Sequence, residues 1–539
     1  MRKRFCTLAT VLAIASLLSA CGAPASTPSA DESSSQAPST TSQAPVTAGV
    51  EPEGIVAGTT LNLSWDSDKQ THLPYTSDSH ATLYLMLYDT LFETHNGETT
   101  GLIAKDWSFT EDNMQCDITI HDDIYFCLRD GSQGNHVTAQ TVVDSLALTE
   151  KHMSNYFTNI DRIEVTGDYT LSVYFSNPYP DFTVQFSEIF TGIVDPSLIA
   201  EYGEKSNEAA IGTGPYYLVE YQAAERFVFK ANPNYWDADR MPHIETVTAL
   251  IIPEASMNQV AIKTGEIDWF ETADPAIVEA LTRSDDSLTS LTVQGSFNPL
   301  YFNCNNEPFD DPNVRKAIGL LIDSQALVDV AYSGKGTVIN AAWPDKCVSY
   351  QEVPDANVYD PDEGLRLLEE AGVDPNSLVI DTYCSYLNAS YMPALQAQLA
   401  KYGITLNFET YEVGTFVQSL GEGDWDVMAW FGMLYNPAPY QTYVNMYGEN
   451  GFYRCLFIDE TYPELWEQVQ TLLDEAGQCT TIDDQVVILQ EIDQLLAENY
   501  IWRSNVQGQE FKVYDAGLQN MQVDDHYNFT LVHELYWAE

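Results

Sequence analysis

The sequence predicts an α/β fold, and three observations support this class. Short apolar runs rich in β-branched and aromatic residues alternate with helical patterns along most of the 539 residues. Hydrophobic residues make up 45% of the chain and charged residues 19%, a balance typical of a chain that buries a core. The length is sufficient for about three domains or for one large two-lobed body.

Predicted strands and helices follow one another along the chain. Runs of strand length and residue type occur at 60–65, 116–120, 170–175, 226–230, 246–252 and 378–383. Helical patterns occur at 360–371, 391–402 and 485–498. The first of these helices has a capping candidate at Asp360 and a proline at Pro361, and it ends before Gly372.

The amino terminus has the three-part layout of an export signal. Cationic residues at 2–4 precede an apolar run at 5–18, and small residues then lead to Cys21. We expect 1–20 to be a signal peptide, because this apolar run is too short to cross a membrane. The segment LSAC at 18–21 resembles a bacterial lipobox, which implies a lipid on Cys21. The Ser-, Thr- and Pro-rich composition of 21–54 predicts a flexible tether after the lipidated cysteine.

The chain is strongly acidic because it has few cations. Lys and Arg total 23 against 79 Asp and Glu, so the net charge is −56. A negative field of this size repels phosphate backbones, and we therefore expect no nucleic-acid partner.

Cysteine and histidine spacing gives no sign of a metal site. Seven cysteines follow Cys21, an odd number without zinc-site spacing. Cys116 and Cys127 flank a predicted strand pair and could form a disulfide, but buried free thiols are the preferred interpretation. His72 and His80 lie eight residues apart with no other ligand pattern around them. We expect neither a metal nor a cofactor.

The motifs of common hydrolases and nucleotide-binding enzymes are missing from the sequence. It contains no G-x-S-x-G elbow, no H-E-x-x-H motif and no P-loop. Carboxylate pairs of the glycosidase type will occur by chance among 79 acidic residues, so an exported hydrolase is the less favoured alternative. We expect a protein that is not an enzyme.

An ordered set of short motifs resembles family 5 extracellular solute-binding proteins, the oligopeptide, dipeptide and nickel receptors of ABC importers. The resemblance runs from about residue 59 to residue 539. The motifs are YDTLF (88–92), LIAKDW (102–107), GTGPY (212–216), NPNYW (232–236), GEID (265–268), PFDDPNVRKAI (308–318) and LLEEAG (367–372).

The resemblance implies a two-lobed periplasmic-binding-protein-like fold of type II, or cluster C. Lobe I is expected at 55–291, with an extra subdomain at about 91–185, and lobe II at 292–502. The chain is expected to return to lobe I at 503–539, so that two strands form the hinge. The segment 127–135 departs from the family pattern and is expected to be a surface insertion.

Several motif residues have a structural interpretation that requires no ligand. Gly212, Gly214 and Pro215 suit a tight turn that leads into a strand. Tyr235 and Trp236 are expected to pack a subdomain junction.

The motif at 308–318 predicts a helix start. Asp311 would cap the helix and Pro312 would occupy its first turn. Arg315 is expected to be a structural ion-pair partner.

The ligand is expected to contact an aromatic-rich segment at 425–447. Residues 426–430 predict a strand that leads into a loop at Gly432, which the resemblance places at the cleft. We favour Trp430 and Tyr435 as cleft residues, although ordinary core packing is the alternative. Met433 stands where dipeptide receptors carry the acid that pairs with the ligand ammonium, which argues against a dipeptide-type site.

Two further parts of the predicted cleft are aromatic or acidic. Tyr383 and Tyr386 follow or end a strand where dipeptide receptors place an arginine, but no Lys or Arg occurs between positions 366 and 401. From lobe I, Tyr75 and Asp78 are candidates, and Asp78 is the acid best placed for a ligand ammonium, with an exposed helix cap as the alternative. Such a surface suits a cation, an apolar side chain or a sugar ring.

The resemblance implies a substrate-binding lipoprotein of an ABC importer. Its partners would be a peptide or other small-molecule ligand, a permease with its ATPase, and the membrane through the lipid on Cys21. We expect a monomer, exported to the outer face of the bacterial cytoplasmic membrane or to the periplasm. Peptides lead as the ligand class, with an amine, an oligosaccharide or a metal chelate as alternatives, or a surface sensing role.

Overall fold

The computed structural model describes residues 52–68, 71–76, 81–95, 98–354, 356–385, 389–411, 413–421, 423–430, 438–523 and 528–538. Strands and helices are numbered below in chain order. No helix among these residues combines the length and the apolar character that a membrane span needs.

One 11-stranded sheet runs through the whole molecule, with parallel and antiparallel neighbours. Its strands, in spatial order, are β10 (Tyr216–Gln222), β11 (Arg226–Ala231), β12 (Ile244–Ile251), β1 (Val56–Trp65), β13 (Trp269–Thr272), β19 (Trp502–Asp515), β14 (Leu288–Phe302), β18 (Val427–Ala429), β16 (Val379–Ser385) and β17 (Thr405–Tyr411), with β15 (Gly336–Val338) beside β19.

Smaller sheets lie apart from the main one. A four-stranded sheet contains β4 (Ala104–Phe109), β5 (Gln115–Ile120), β9 (Thr170–Phe175) and β8 (Ile160–Gly167). Two-stranded pairs are β2 (Phe92–His95) with β3 (Glu98–Gly101), β6 (Tyr125–Cys127) with β7 (Gln133–His136), and β20 (Leu518–Gln519) with β21 (Tyr536–Trp537). The segment expected to be an insertion therefore forms part of a hairpin.

Helices pack around the sheets. They are α1 (Ala81–Leu87), α2 (Ala139–His152), α3 (Phe182–Gln185), α4 (Pro196–Tyr202), α5 (Ala255–Thr264), α6 (Pro275–Ser284), α7 (Pro312–Leu320), α8 (Ser324–Ala331), α9 (Pro361–Glu370), α10 (Met392–Ala400), α11 (Val413–Leu420), α12 (Pro439–Tyr447), α13 (Ile458–Thr461), α14 (Pro463–Ala476) and α15 (Ile482–Glu498). The strands and helices predicted from the sequence are all present, within a few residues of the expected bounds. The α/β class is confirmed.

Separate cores identify two bodies joined by two long strands. The largest core cluster extends from Leu61 to Trp269 and includes Leu535, whereas others lie between Leu300 and Val506. We keep the names lobe I and lobe II for the bodies around these cores. Strands β14 and β19 pair antiparallel along both bodies, from Leu288 opposite Asp515 to Tyr301 opposite Trp502. The residue limits expected for the lobes and the extra subdomain stay a prediction.

Two of the sequence motifs are held together by a buried acid. The Tyr235 hydroxyl donates to Asp89 Oδ1 at 3.0 Å, and Trp236 Nε1 donates to Asp89 Oδ2 at 2.9 Å. Burial raises the pKa of the Asp89 carboxyl. The paired aromatics therefore pack a junction as expected, and they also bond the acid of the motif at 88–92.

The motif at 212–216 bends into β10, and its glycines also lie against the backbone at the end of α1. A Cβ on Gly212 would lie 1.8 Å from the Leu87 carbonyl oxygen, and one on Gly214 would lie 2.6 Å from the Leu87 carbonyl carbon. The Gly214 N–H donates to this same carbonyl at 3.0 Å. These positions require glycine because the backbone after α1 comes so close to them.

Helix caps follow the sequence prediction, but the role expected for Arg315 is wrong. Asp311 and Asp360 each cap the helix that begins at the next residue. Arg315 is 0% exposed and donates to the backbone carbonyls of Phe309, Asn499 and Tyr500 at 2.6–2.9 Å, rather than to a carboxylate. Its planar guanidinium thus ties α7 to the chain before β19.

The seven cysteines after Cys21 are free, and six of them are buried. Burial raises the pKa of the Cys116 and Cys127 thiols to about 12. Both thiols therefore stay protonated at neutral pH and behave as small apolar groups.

Candidate ligand site between the lobes

Neutral polar groups join the two lobes at their facing surfaces. Thr158 Oγ1 donates to Gln441 Oε1 at 2.8 Å, where Gln441 lies in the first turn of α12. The Asn113 amide donates to the Thr480 carbonyl at 2.5 Å, and the Gln478 amide donates to Asn177 Oδ1 at 3.1 Å. No charged pair takes part in these three contacts, so they hold the lobes weakly and reversibly.

A cavity of about 220 Å³ opens between the lobes beside the Thr158–Gln441 contact. The lobe I side is polar, and the lobe II side combines amides with apolar groups. The lining residues are Ser154, Asn155 and Thr158 from lobe I, and Val444, Asn445, Met446, Gly448, Glu449, Asn450 and Phe452 from lobe II. Since Glu449 is the one charged side chain among the described lining residues, the cavity suits neutral or cationic groups better than anions.

The helix that faces lobe I is anchored by a buried network inside lobe II. The Tyr443 hydroxyl and Trp343 Nε1 both donate to Asp493 Oδ2, the latter at 3.1 Å. Asp493 is 2% exposed, and burial raises the pKa of its carboxyl to about 8. At neutral pH this acid is largely protonated and acts as a neutral acceptor, which fixes α12 without a buried charge.

Asp181 lies on the opposite side of the lobe boundary from α12. It precedes α3 at the N-cap position, yet its side chain makes no capping hydrogen bond to α3. The carboxyl is 0% exposed and faces the Tyr440 backbone N–H, the second residue of α12. Burial raises the pKa of this carboxyl to about 7, while the Tyr440 N–H acts in the opposite direction.

Two of the sequence-predicted site residues lie in lobe II. Trp430 is 2% exposed and stacks on Phe416, with ring centroids 4.9 Å apart, while Phe452 packs nearby at 5.3 Å. Tyr383 is half-buried on β16, and its ring lies 5.0 Å from that of Tyr411. Phe452 also lines the cavity between the lobes, which places Trp430 one ring behind that surface.

The candidate from lobe I that the structure describes is buried inside its own lobe. Tyr75 is 1% exposed, stacks on His152 with centroids 5.0 Å apart, and donates to the Glu204 carbonyl at 3.2 Å. Asp78, Tyr386, Met433 and Tyr435 lie outside the described residues, as do His80 and Cys21. Ligand contact by any of the predicted residues therefore stays a prediction.

Parallel strands bring the two predicted ligand segments to one edge of the sheet. Cys384 of β16 lies opposite Ala429 of β18, and the strands run in the same direction. Both therefore end at the same edge, the usual place for ligand contacts in α/β proteins. The chain continues from this edge into 386–388 and 431–437, which are not described.

Sequence reasoning did not find the polar groups of the lobe boundary. Asn155, Thr158, Asp181, Gln441 and Asn445 belong to distant parts of the chain and match no motif. The proline at Pro439, the first residue of α12, was the available signal, because a helix that begins just after a predicted ligand loop presents its first turn to the cleft.

Titratable side chains among the described residues form no group of three or more that could hold a metal ion. His72 is fully buried, with its ring against Tyr221 and Phe227 at centroid distances of 4.5 and 4.9 Å. It packs a core within lobe I.

A family model described as bacterial extracellular solute-binding proteins, family 5 Middle, matches residues 98–454. The match covers more than half of the chain. The chain belongs to this family.

Curated relatives of this family 5 protein include proteins named for binding glutathione and di- or tripeptides. A glutathione-binding protein, GsiB, from Pectobacterium atrosepticum is 24% identical over 321 residues, which are 58% of this chain and 61% of that protein. Di/tripeptide-binding protein 1 from Pseudomonas aeruginosa is 29% identical over 303 residues, which are 51% of this chain and 56% of that protein. The family 5 protein thus spans about six tenths of the length of these relatives.

Solved structures share the two-lobed fold of this family 5 protein. NikA from Brucella suis with Fe(III)-EDTA gives a TM-score of 0.80 at 19% identity and covers 89% of this chain and 99% of that one. A dipeptide-binding protein from Pseudoalteromonas sp. SM9913 with Met-Leu gives 0.76 at 19% identity, covering 89% and 100%. AppA from Bacillus subtilis with a nonapeptide gives 0.74 at 18% identity, covering 91% and 100%.

Proposed function

We propose that this family 5 protein is the substrate-binding component of an ABC importer, which captures a peptide-like solute between its lobes and delivers it to a membrane permease. The observation that carries the proposal is the cavity of about 220 Å³ lined by residues of both lobes. A ligand held by both lobes stabilises the closed arrangement, as capture by hinge closure requires. Binding of this kind needs no covalent step, and the protein is not an enzyme.

Peptides are the leading ligand class, because relatives are named for glutathione and for di- and tripeptides. Asn155, Asn445 and Asn450 offer amide donors and acceptors of the kind that pair with peptide groups. Affinity in the micromolar range would correspond to about −8 kcal/mol.

A non-peptide cation or neutral solute is the second candidate. Met433 replaces the acid expected for an ammonium, but Glu449 in the lining can pair with one, whereas the described lining residues include no cation for a carboxylate. The carboxylate end of a free dipeptide would then lack a partner, which favours an amine or an uncharged ligand.

The predicted contacts complete the proposed site. Trp430, Tyr435 and Met433 would act from the segment after β18, and Tyr383 and Tyr386 from the end of β16. Tyr75 and Asp78 would act from lobe I. The shared sheet edge of β16 and β18 supports the contacts proposed from lobe II.

The amino-terminal segment supports a proposal for location. We expect the lipid on Cys21 to hold the protein, as a monomer, at the outer face of the cytoplasmic membrane, near the permease and its ATPase. Metabolic labelling with a radioactive fatty acid tests this: the wild-type chain should be labelled and Cys21→Ala should not. Label in Cys21→Ala would refute the anchor.

Thermal unfolding with a ligand panel tests the function. The panel contains glutathione, Met-Leu, longer peptides, amines, oligosaccharides and nickel chelates. A ligand that binds only the folded protein raises its melting temperature, by an amount that grows with ligand concentration above Kd. We expect a peptide to give this shift, and calorimetry with that peptide then gives the affinity.

Asn445→Ala is the matched test of the cavity, since Asn445 lines it and is not fully buried. We expect Asn445→Ala to weaken binding about tenfold, the loss of about one to two hydrogen bonds. Asn376→Ala, at an exposed loop of lobe II, should bind as wild type does. Shifts with sugars or amines alone would replace the peptide class, and equal binding by Asn445→Ala would move the site away from the cavity.

A further inference from the structure

Asp181 is a buried acid, and the residues that the structure describes place no cation beside it. Its residue is 0% exposed, and the polar groups nearest its carboxyl are two backbone N–H groups, its own and that of Tyr440, neither of which forms a full hydrogen bond with it. Aspartates at the N-cap position usually bond their own helix, but this side chain leaves α3 uncapped. The carboxyl therefore does not stabilise α3 as a cap.

The side chain points across the lobe boundary to the start of α12. The Tyr440 backbone N–H, which has no partner within its own helix at this position, faces the carboxyl. The amino end of a nine-residue helix carries a partial positive charge, which attracts an acid but does not neutralise it. This contact joins lobe I to lobe II and exists only while the lobes are together.

The groups around Asp181 do not compensate a negative charge on its carboxylate. In lobe I, Tyr179 and Tyr156 lie near this carboxyl, and Glu188 lies beside Tyr156. In lobe II, Tyr440 lies near it, with Asp474 beside Tyr440. All of these groups are neutral or acidic at neutral pH, and the part of the chain that the structure describes places no Lys, Arg or His among them. Bringing the lobes together thus buries a carboxyl in surroundings that disfavour its charge.

We propose that Asp181 is a positioning residue for lobe closure: its protonated form lets the lobes close over α12, and its ionised form favours separated lobes. The inference rests on the two-lobed closure in the proposed function and does not depend on which ligand is bound. It makes solute capture more favourable in an acidic medium.

The pH dependence of closure has a definite sign, because the Asp181 carboxyl has different pKa values in the closed and the open arrangement. With the lobes together, burial raises the pKa of the Asp181 carboxyl to about 7. When α12 moves away, we expect the carboxyl to meet water and its pKa to return towards about 3.9. Closure therefore takes up a proton between these values, and the closure constant should rise by roughly tenfold for each pH unit below about 7.

Small-angle X-ray scattering of the purified protein without ligand tests the proposal. We expect the radius of gyration to fall as the pH is lowered from about 8 to about 5.5, because the closed arrangement gains population. Asp181→Asn, which matches the protonated acid in shape and stays neutral, should be compact throughout this range. Asp474→Asn, which removes an exposed acid from the same boundary, should keep the wild-type response.

A wild-type radius that does not change with pH would overturn the proposal, as would an unchanged pH response in Asp181→Asn. Asp181→Ser, also uncharged, replaces Asp181→Asn if that variant lacks a cooperative melting transition. A residue with only a structural role would alter the melting temperature but leave the radius independent of pH. Since no ligand is used, failure here would leave the proposed solute binding untouched.

Discussion

At the scale of single residues, Asp89 shows how one buried acid joins distant motifs. Its two oxygens accept from the Tyr235 hydroxyl and from Trp236 Nε1. Asp89→Ala would leave both donors unpaired in the core, so we expect the free energy of unfolding to fall by about 3 kcal/mol. Urea unfolding checks this, with Tyr235→Phe expected to cost only about 1 kcal/mol. A change in Asp89→Ala as small as that of exposed Asp239→Ala would contradict it.

Asp493 gives a pH-dependent prediction at the same scale. Its folded-state pKa of about 8 lies above the unfolded value of about 3.9, so unfolding releases a proton between these values. Its contribution to stability is therefore lost as the pH rises through this window, by at most about 1.4 kcal/mol per pH unit. Asp493→Asn removes this dependence.

We expect the stability of Asp493→Asn relative to wild type to increase from about pH 5 to about pH 8. Urea unfolding at each pH measures the difference, which isolates Asp493 from Asp181 and Glu510, whose carboxyls also have raised pKa values. Asp483→Asn on the exposed face of α15 should show a constant difference. A constant difference for Asp493→Asn as well would mean that its carboxyl is ionised in the folded protein.

At the scale of elements, sequence patterns predicted the features of helices and strands that neighbouring residues determine. The cap at Asp360, the proline at Pro361 and the strand-forming residue types of β9 act through neighbouring residues, and the structure confirms this helix and this strand. Arg315 was misassigned because two of its three carbonyl partners, Asn499 and Tyr500, lie 184 and 185 positions later in the chain. Asp181 and Gln441 were missed for the same reason: a lobe boundary is assembled from distant segments that share no periodicity.

The close approach of α1 to the motif at 212–216 gives an element-scale prediction. Gly212→Ala would force a Cβ against the Leu87 carbonyl, and backbone cannot move as a side chain can. We expect a loss of about 3 kcal/mol. Gly265→Ala is the matched control, because Gly265 has a φ of +71° and no neighbouring atom within 4 Å. It should lose only about 1 kcal/mol, from backbone strain alone. Equal losses in thermal or urea unfolding would show that the contact with Leu87 yields easily.

At the scale of the whole molecule, net charge governs how stability depends on salt. With 79 acidic residues against 23 Lys and Arg, most carboxylates have no cation to pair with, and the folded chain repels itself. Exposed ion pairs such as Arg366 with Glu363 contribute little to stability. Salt therefore removes less stabilisation by screening these pairs than it adds by screening the repulsion between carboxylates. We expect the melting temperature to rise by several degrees between about 0.02 M and about 0.5 M NaCl. KCl should act as NaCl does, because screening depends on ionic strength. A melting temperature that falls with either salt would mean that ion pairs, rather than net repulsion, dominate the surface of this protein.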